Sequence, residues 1–108
     1  MAQTVVWTEI ATEDLGAVAE FIARDSTFYA MALVREARAS ARSLRRFAER
    51  GRIVPECGRR EIREIFVGAY RLIYQINGRS VVVIAFIHGA RDLARLWERR
   101  GGPTVAGA

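Results

Sequence analysis

The sequence predicts an α+β fold: an N-terminal strand, an antiparallel helix hairpin packed on an antiparallel β-sheet, and a short C-terminal helix. Three observations carry that prediction. Apolar residues recur at helical spacing through the first half of the chain. After Ile62 the pattern changes to β-branched and aromatic runs broken by Gly68-Ala69 and Asn77-Gly78. The length, 108 residues, suits one hydrophobic core and leaves no room for a second.

Taken in order, Thr4 to Trp7 is a β-branched and aromatic run and reads as the first strand. From about Thr12, Leu15, Val18, Ala19 and Ile22 fall on one helical face, with Glu13 and Asp14 suited to the positive end of the helix dipole. Asp25-Ser26 punctuates the chain, and Ser26 is a candidate N-cap. A second, longer helix is expected to run to about Arg50, with Gly51 closing it. Its apolar face is Ala30, Leu33, Ala37, Ala41, Leu44 and Phe47, and the small residues permit close approach of the first helix. Residues 51–60 read as a loop broken by Pro55 and Gly58. Strands are expected at Ile62 to Val67, Tyr70 to Ile76 and Arg79 to Ile87, the last two joined by a type I′ turn at Asn77-Gly78. The continuous apolar run of the last strand suits a central position covered on both faces. Leu93, Leu96 and Trp97 point inward from a helix over 91–100, so the chain reads as one domain over 1–100 with a flexible tail at 101–108.

Charge narrows the functional classes. All 17 basic residues are Arg, and the net charge is +5. Residues 1–26 are acidic, whereas 27–60 carry nine Arg against three Glu. Such polarity favours an acidic partner. The longest apolar run, Val81 to Ile87, is far short of the roughly 20 residues that span a bilayer. One Cys57 and one His88 provide no disulfide and no metal framework. No phosphate-binding glycine pattern is present, and the N-terminus lacks a basic, apolar secretory start. A cytoplasmic protein without metal or cofactor is expected.

Within the second helix Arg35, Arg38, Arg42 and Arg45 form one stripe, with Arg46 beside it. It is either a solvated face or a docking surface for an acidic partner; Glu36 and Glu49 are too few to neutralise it. With two-residue turns throughout, Phe66 falls opposite Arg71 and Arg71 opposite Ile84. One sheet face then collects Ile65, Val67, Tyr70, Leu72, Tyr74, Val81, Val83, Ala85 and Ile87. The other collects Glu64, Phe66, Arg71, Ile73, Gln75, Val82, Ile84, Phe86 and His88. On that face Arg71 is either paired with Glu64 or presented to a ligand. His88 is a structural residue or a proton carrier, Trp97 a core residue or a stacking platform, and Cys57 a free thiol.

Five fragments stand in order along the chain: the V-x-W-T strand, A..DL..V..FIA.DS over Ala11 to Ser26, GR.VPE over Gly51 to Glu56, YRLIY.I at the end of Arg60 to Ile76, and IHGAR at the end of Val82 to Leu93. Together they resemble the RelE/ParE toxin superfamily of bacterial toxin–antitoxin modules, the plasmid stabilisation proteins. The resemblance implies a helix hairpin on a sheet. It also implies a toxin held in a hetero-oligomer by a cognate antitoxin, whose acidic segment would lie on Arg35, Arg38, Arg42 and Arg45. RelE-type members cut mRNA on the ribosome, and that reading makes Arg71, His88 and Arg91 the catalytic candidates. Trp97 stands where the RelE pattern has its tyrosine, and the loop lysines of that pattern are absent, with Arg59 and Arg60 as candidate substitutes in charge. ParE-type members inhibit DNA gyrase without that set, and the GR.VPE and HGAR fragments favour this branch. A third reading is a non-toxic antitoxin-binding module. Sequence-specific DNA binding by this chain alone is not expected, because no helix-turn-helix or ribbon signal accompanies the charge.

Overall fold

The computed structural model describes residues 3–103. Its elements are β1 (Thr4–Trp7), α1 (Glu9–Ala23), α2 (Thr27–Ser43), β2 (Arg52–Ile53), β3 (Ile62–Val67), β4 (Tyr70–Asn77), β5 (Ser80–His88) and α3 (Leu93–Arg100). The five strands form one sheet in the order β1-β5-β4-β3-β2. Three layers result: the α1–α2 hairpin, the sheet, and α3 on the opposite face.

Thr8 ends β1 and begins α1 in a single residue. Its N–H donates to Val83 O at 3.0 Å, and its hydroxyl caps the helix by accepting from Ala11 N at 3.0 Å. The cap starts α1 three residues before Thr12, the expected position. Ser26 caps α2 as its position suggested, accepting from Tyr29 N at 3.1 Å.

The long second helix is shorter than expected. It ends at Ser43, where Leu44, Arg45 and Arg46 donate to carbonyls three residues back and tighten the last turn. Leu44 and Ala48 are buried, and Phe47 swings outward, 62% exposed, instead of completing the apolar face.

The sheet is mixed rather than wholly antiparallel, because β1 pairs in parallel with β5. The cause is parity. Two antiparallel helices return the chain to the end of the sheet where β1 finished, so β2 runs back and β3 and β5 share the direction of β1. The short β2 lies inside the segment expected to be loop, pairing Arg52 with Glu64 and Ile53 with Arg63.

Register departs from the simple arithmetic at two points. The β4–β5 turn centres on Gly78 and Arg79, with Asn77 opposite Ser80. Only glycines adopt positive φ among the described residues, and Gly78 does so at 60°, the type II′ arrangement rather than type I′. A bulge then places Tyr74 opposite Val83 and Ile73 opposite Ala85, leaving Ile84 as an extra residue. Arg71 therefore faces Ile87 instead of Ile84.

An extra residue exchanges the faces beyond it. Ala85 and Ile87 join the core under α3, while Phe86 joins the core under the hairpin. The first core is built on Ala37, Ala41, Leu44, Leu72, Tyr74 and Val83. The second packs Ile62, Ile73, Ile84 and Ile87 against Leu93, Leu96 and Trp97. At the end of α3, Gly101 takes φ 84° and Gly102 N donates to Trp97 O at 2.8 Å, so the first residues of the expected tail close the helix. The remainder of that tail, 104–108, lies outside the described residues.

Candidate functional site

Three charged features flank the sheet. The first surrounds Arg71, which β4 projects toward the side covered by α3. Its Nε donates to Glu64 Oε1 at 2.5 Å, and its two terminal nitrogens grip Glu56 at 2.8 and 2.9 Å. Glu64 also accepts from Arg52 Nε at 2.5 Å, and the Arg52 guanidinium lies over the Phe66 ring at 5.4 Å. The side chains of Arg71 and Glu64 are 5% and 0% exposed. The two-pronged bond from Arg71 holds Glu56 below its ordinary carboxylate range, and the Glu56 and Glu64 carboxylates raise Arg71 further above its own. Paired with Glu64 and gripped again by Glu56, this guanidinium presents no free fork to an incoming phosphate. Glu56 was not identified from the sequence as its partner. It sits in an irregular loop with no periodicity, and its only signal was its place at the end of GR.VPE.

The second feature is a groove of about 290 Å³ between α1 and the end of β5, lined by Val18, Phe21, Tyr70, Phe86, His88 and Arg91. The bulge puts His88 here, with its ring edge-on to Tyr70 at 5.4 Å. Tyr70 in turn stacks on Phe86 at 5.5 Å. His88 and Arg91 thus share one groove, and Arg71 is turned to the other face of the sheet. His88 Nδ1 accepts from Ala90 N at 3.1 Å. In the neutral ring that bond leaves the proton on Nε2, so neither nitrogen offers a free lone pair to a substrate hydroxyl. Beside the groove, β1 has already ended, and the outward N–H of Phe86 donates to Asp14 Oδ2 at 3.1 Å. Asp14 also receives both terminal nitrogens of Arg100, at 2.8 and 3.1 Å, which ties α1 to α3 past the sheet edge.

The third feature is the α2 stripe. Arg35, Arg38, Arg42 and Arg45 are all exposed, and none makes an ion pair among the described residues. The structure divides them. Arg35 lies on the rim of an apolar groove of about 600 Å³ between α1 and α2, floored by Ala19, Ala23, Ala30 and Val34. Near it Phe21, Phe28, Tyr29 and Met31 are more than half exposed. Arg38, Arg42 and Arg45 instead line a polar groove of about 410 Å³ beside β1. Trp97 is buried in the core under α3 and offers no stacking face. Among the described residues no three His, Cys, Asp or Glu side chains gather to hold a metal ion. Nor is any helix among them long and apolar enough to cross a membrane.

This arrangement of a hairpin on a five-stranded sheet has known counterparts. The chain is similar to a solved structure described as the chromosomal ParDE TA system from P. aeruginosa, with a TM-score of 0.65 and 16% identity over 81% of this chain and 96% of that one. No curated protein matches the sequence. The model of the family described as ParE toxin of type II toxin-antitoxin system, parDE, matches residues 5–93. That match spans most of the chain, with the whole core under the hairpin and all of the core under α3 except Leu96 and Trp97, and the protein belongs to the ParE toxin family.

Proposed function

We propose that this ParE-family toxin acts in the cytoplasm by binding and inhibiting DNA gyrase, without cofactor or covalent chemistry, and that a cognate antitoxin neutralises it. The observation that carries the reading is the double engagement of Arg71 by Glu56 and Glu64. RNA cleavage needs cations free to stabilise charge on the scissile phosphate, and a group free to move the 2′-OH proton. Here the sheet arginine is occupied and turned away from His88 and Arg91, and Trp97 is packed in the core. Arg91 beside His88 supports the second reading, a ribosome-dependent endoribonuclease, more weakly.

Neutralisation is assigned to the exposed stripe of Arg35, Arg38, Arg42 and Arg45, whose charge calls for an acidic segment. The experiment that tests the target is incorporation of labelled thymidine and methionine in the first minutes after induction without antitoxin. Thymidine incorporation is expected to stop first. Earlier loss of methionine incorporation, abolished by His88→Ala and Arg91→Ala, would establish the nuclease reading. Undisturbed growth would establish a non-toxic binding module.

A further inference from the structure

We infer that two copies of this chain associate through their α1–α2 hairpins, each laid on the other about a two-fold axis parallel to the helices. The association needs no other partner and does not rest on the reading above.

The hairpin carries unpaired charge of both signs. On α1, Glu9, Glu13 and Glu20 are exposed, and no basic residue lies within the helix. On α2, Arg35, Arg38 and Arg42 are exposed. None of these six side chains forms an ion pair among the described residues.

The two columns match in height. Glu9 and Glu13 stand fourteen and ten residues before the end of α1, and Arg42 and Arg38 stand fifteen and eleven after the start of α2. Both helices rise equally per residue from one short connection, so nearly equal counts mean nearly equal heights. A two-fold axis parallel to the helices lays α1 of one copy on α2 of the other with heights unchanged. Glu13 then meets Arg38 of the second copy, Glu9 meets its Arg42, and each contact occurs twice. Neighbouring helices are all antiparallel, as in a four-helix bundle. An axis across the helices would instead set acid on acid and arginine on arginine.

Apolar groups fill the space between the columns. The groove there is floored by Ala19, Ala23, Ala30 and Val34. Met31 lines it and is 61% exposed, with the exposed Phe28 three residues earlier on the same helical face. Met31 is four residues past the start of α2 and Ala19 four before the end of α1, so Met31 of one copy faces Ala19 of the other. A large side chain opposite a small one is the complementarity that close helix packing needs.

Charge selects the occupant. An acidic peptide or a nucleic-acid strand suits the arginines and is repelled by Glu9, Glu13 and Glu20, whereas a second copy satisfies both columns. Arg38 and Arg42 also belong to the stripe assigned to the antitoxin, so the two occupants exclude one another and the dimer is the antitoxin-free form.

The test is sedimentation equilibrium of the full chain freed of antitoxin, at about 100 µM and low salt. Twice the chain mass is expected. Glu13→Arg and Arg38→Glu should each weaken the dimer at least about tenfold, because each acts at two places. Glu13→Arg/Arg38→Glu should return it to within about threefold of the unaltered chain, since the same pairs form with signs exchanged. Met31→Asp, at an exposed position, should also weaken it, with the thermal midpoint of the chain reporting that the fold is kept. A single-chain mass overturns the inference. A dimer indifferent to Glu13→Arg, Arg38→Glu and Met31→Asp overturns the hairpin interface, and failure of the exchanged pair to restore association overturns the two-fold pairing.

Discussion

Arg71 and Glu64, seven residues apart on adjacent strands, form an ion pair that is almost entirely withdrawn from water, with Nε to Oε1 at 2.5 Å. Burying two charges is costly, and removing one alone leaves the other uncompensated. Arg71→Met is expected to destabilise the fold by about 3–5 kcal/mol in urea denaturation. Arg71→Met/Glu64→Leu should lose clearly less than the sum of the two single variants. Additive losses in that cycle would show that the two side chains act independently.

Glu56 contributes through the same guanidinium, and its pKa is depressed chiefly by that hydrogen bond. A depressed carboxylate stabilises the folded state fully above its unfolded value, here 4.5, and loses that contribution as pH falls through the folded value. Stability should therefore fall on acidification below about pH 4.5. Glu56→Gln should be less stable at pH 7 and show a flatter acid limb. Equal acid slopes in the two proteins, read from thermal unfolding between pH 3 and 7, would remove Glu56 from the account.

Tyr74 closes the hairpin side of the sheet. Its hydroxyl donates to Ala48 O at 2.7 Å and accepts from Gly51 N at 3.0 Å, with the whole residue buried. Tyr74→Phe strands both backbone groups and is expected to cost about 1–3 kcal/mol. A loss of only a few tenths would mean that the two backbone groups find other partners.

Two glycines make a contrasting pair. A Cβ on Gly51 would lie 2.5 Å from the Tyr74 hydroxyl and 2.6 Å from Glu64 O, so Gly51→Ala forces backbone apart and should cost about 1–3 kcal/mol. Gly16 lies within α1 with nothing within 4 Å of such a Cβ. Gly16→Ala should stabilise by about 0.5–1 kcal/mol. Thermal midpoints moving in opposite directions would establish the contrast.

Much of the fold was legible in local chemistry. β1 has the expected bounds, Ser26 caps α2, and Gly68-Ala69 makes the β3–β4 turn that sets Phe66 opposite Arg71. Leu93, Leu96 and Trp97 are buried as their spacing implied. These features depend on periodicity, capping and turn chemistry, which act over a few residues. What depended on distant partners was not legible. The parallel pairing of β1 follows from the round trip of two helices. The extra residue at Ile84 turns Phe86 and His88 to the hairpin side, where Asp14, 72 residues earlier, takes the freed N–H. Arg71 illustrates the division most plainly. Its neighbour Glu64 was a candidate partner by strand alternation, whereas Glu56 reaches it from a loop 15 residues away. The sequence determined which residues could carry charge and the type and order of every helix and of every strand but β2. Tertiary structure alone decided which charges are neutralised in the interior and which remain open. That choice depends on low dielectric and on partners brought together by chain topology, and neither is encoded in local spacing.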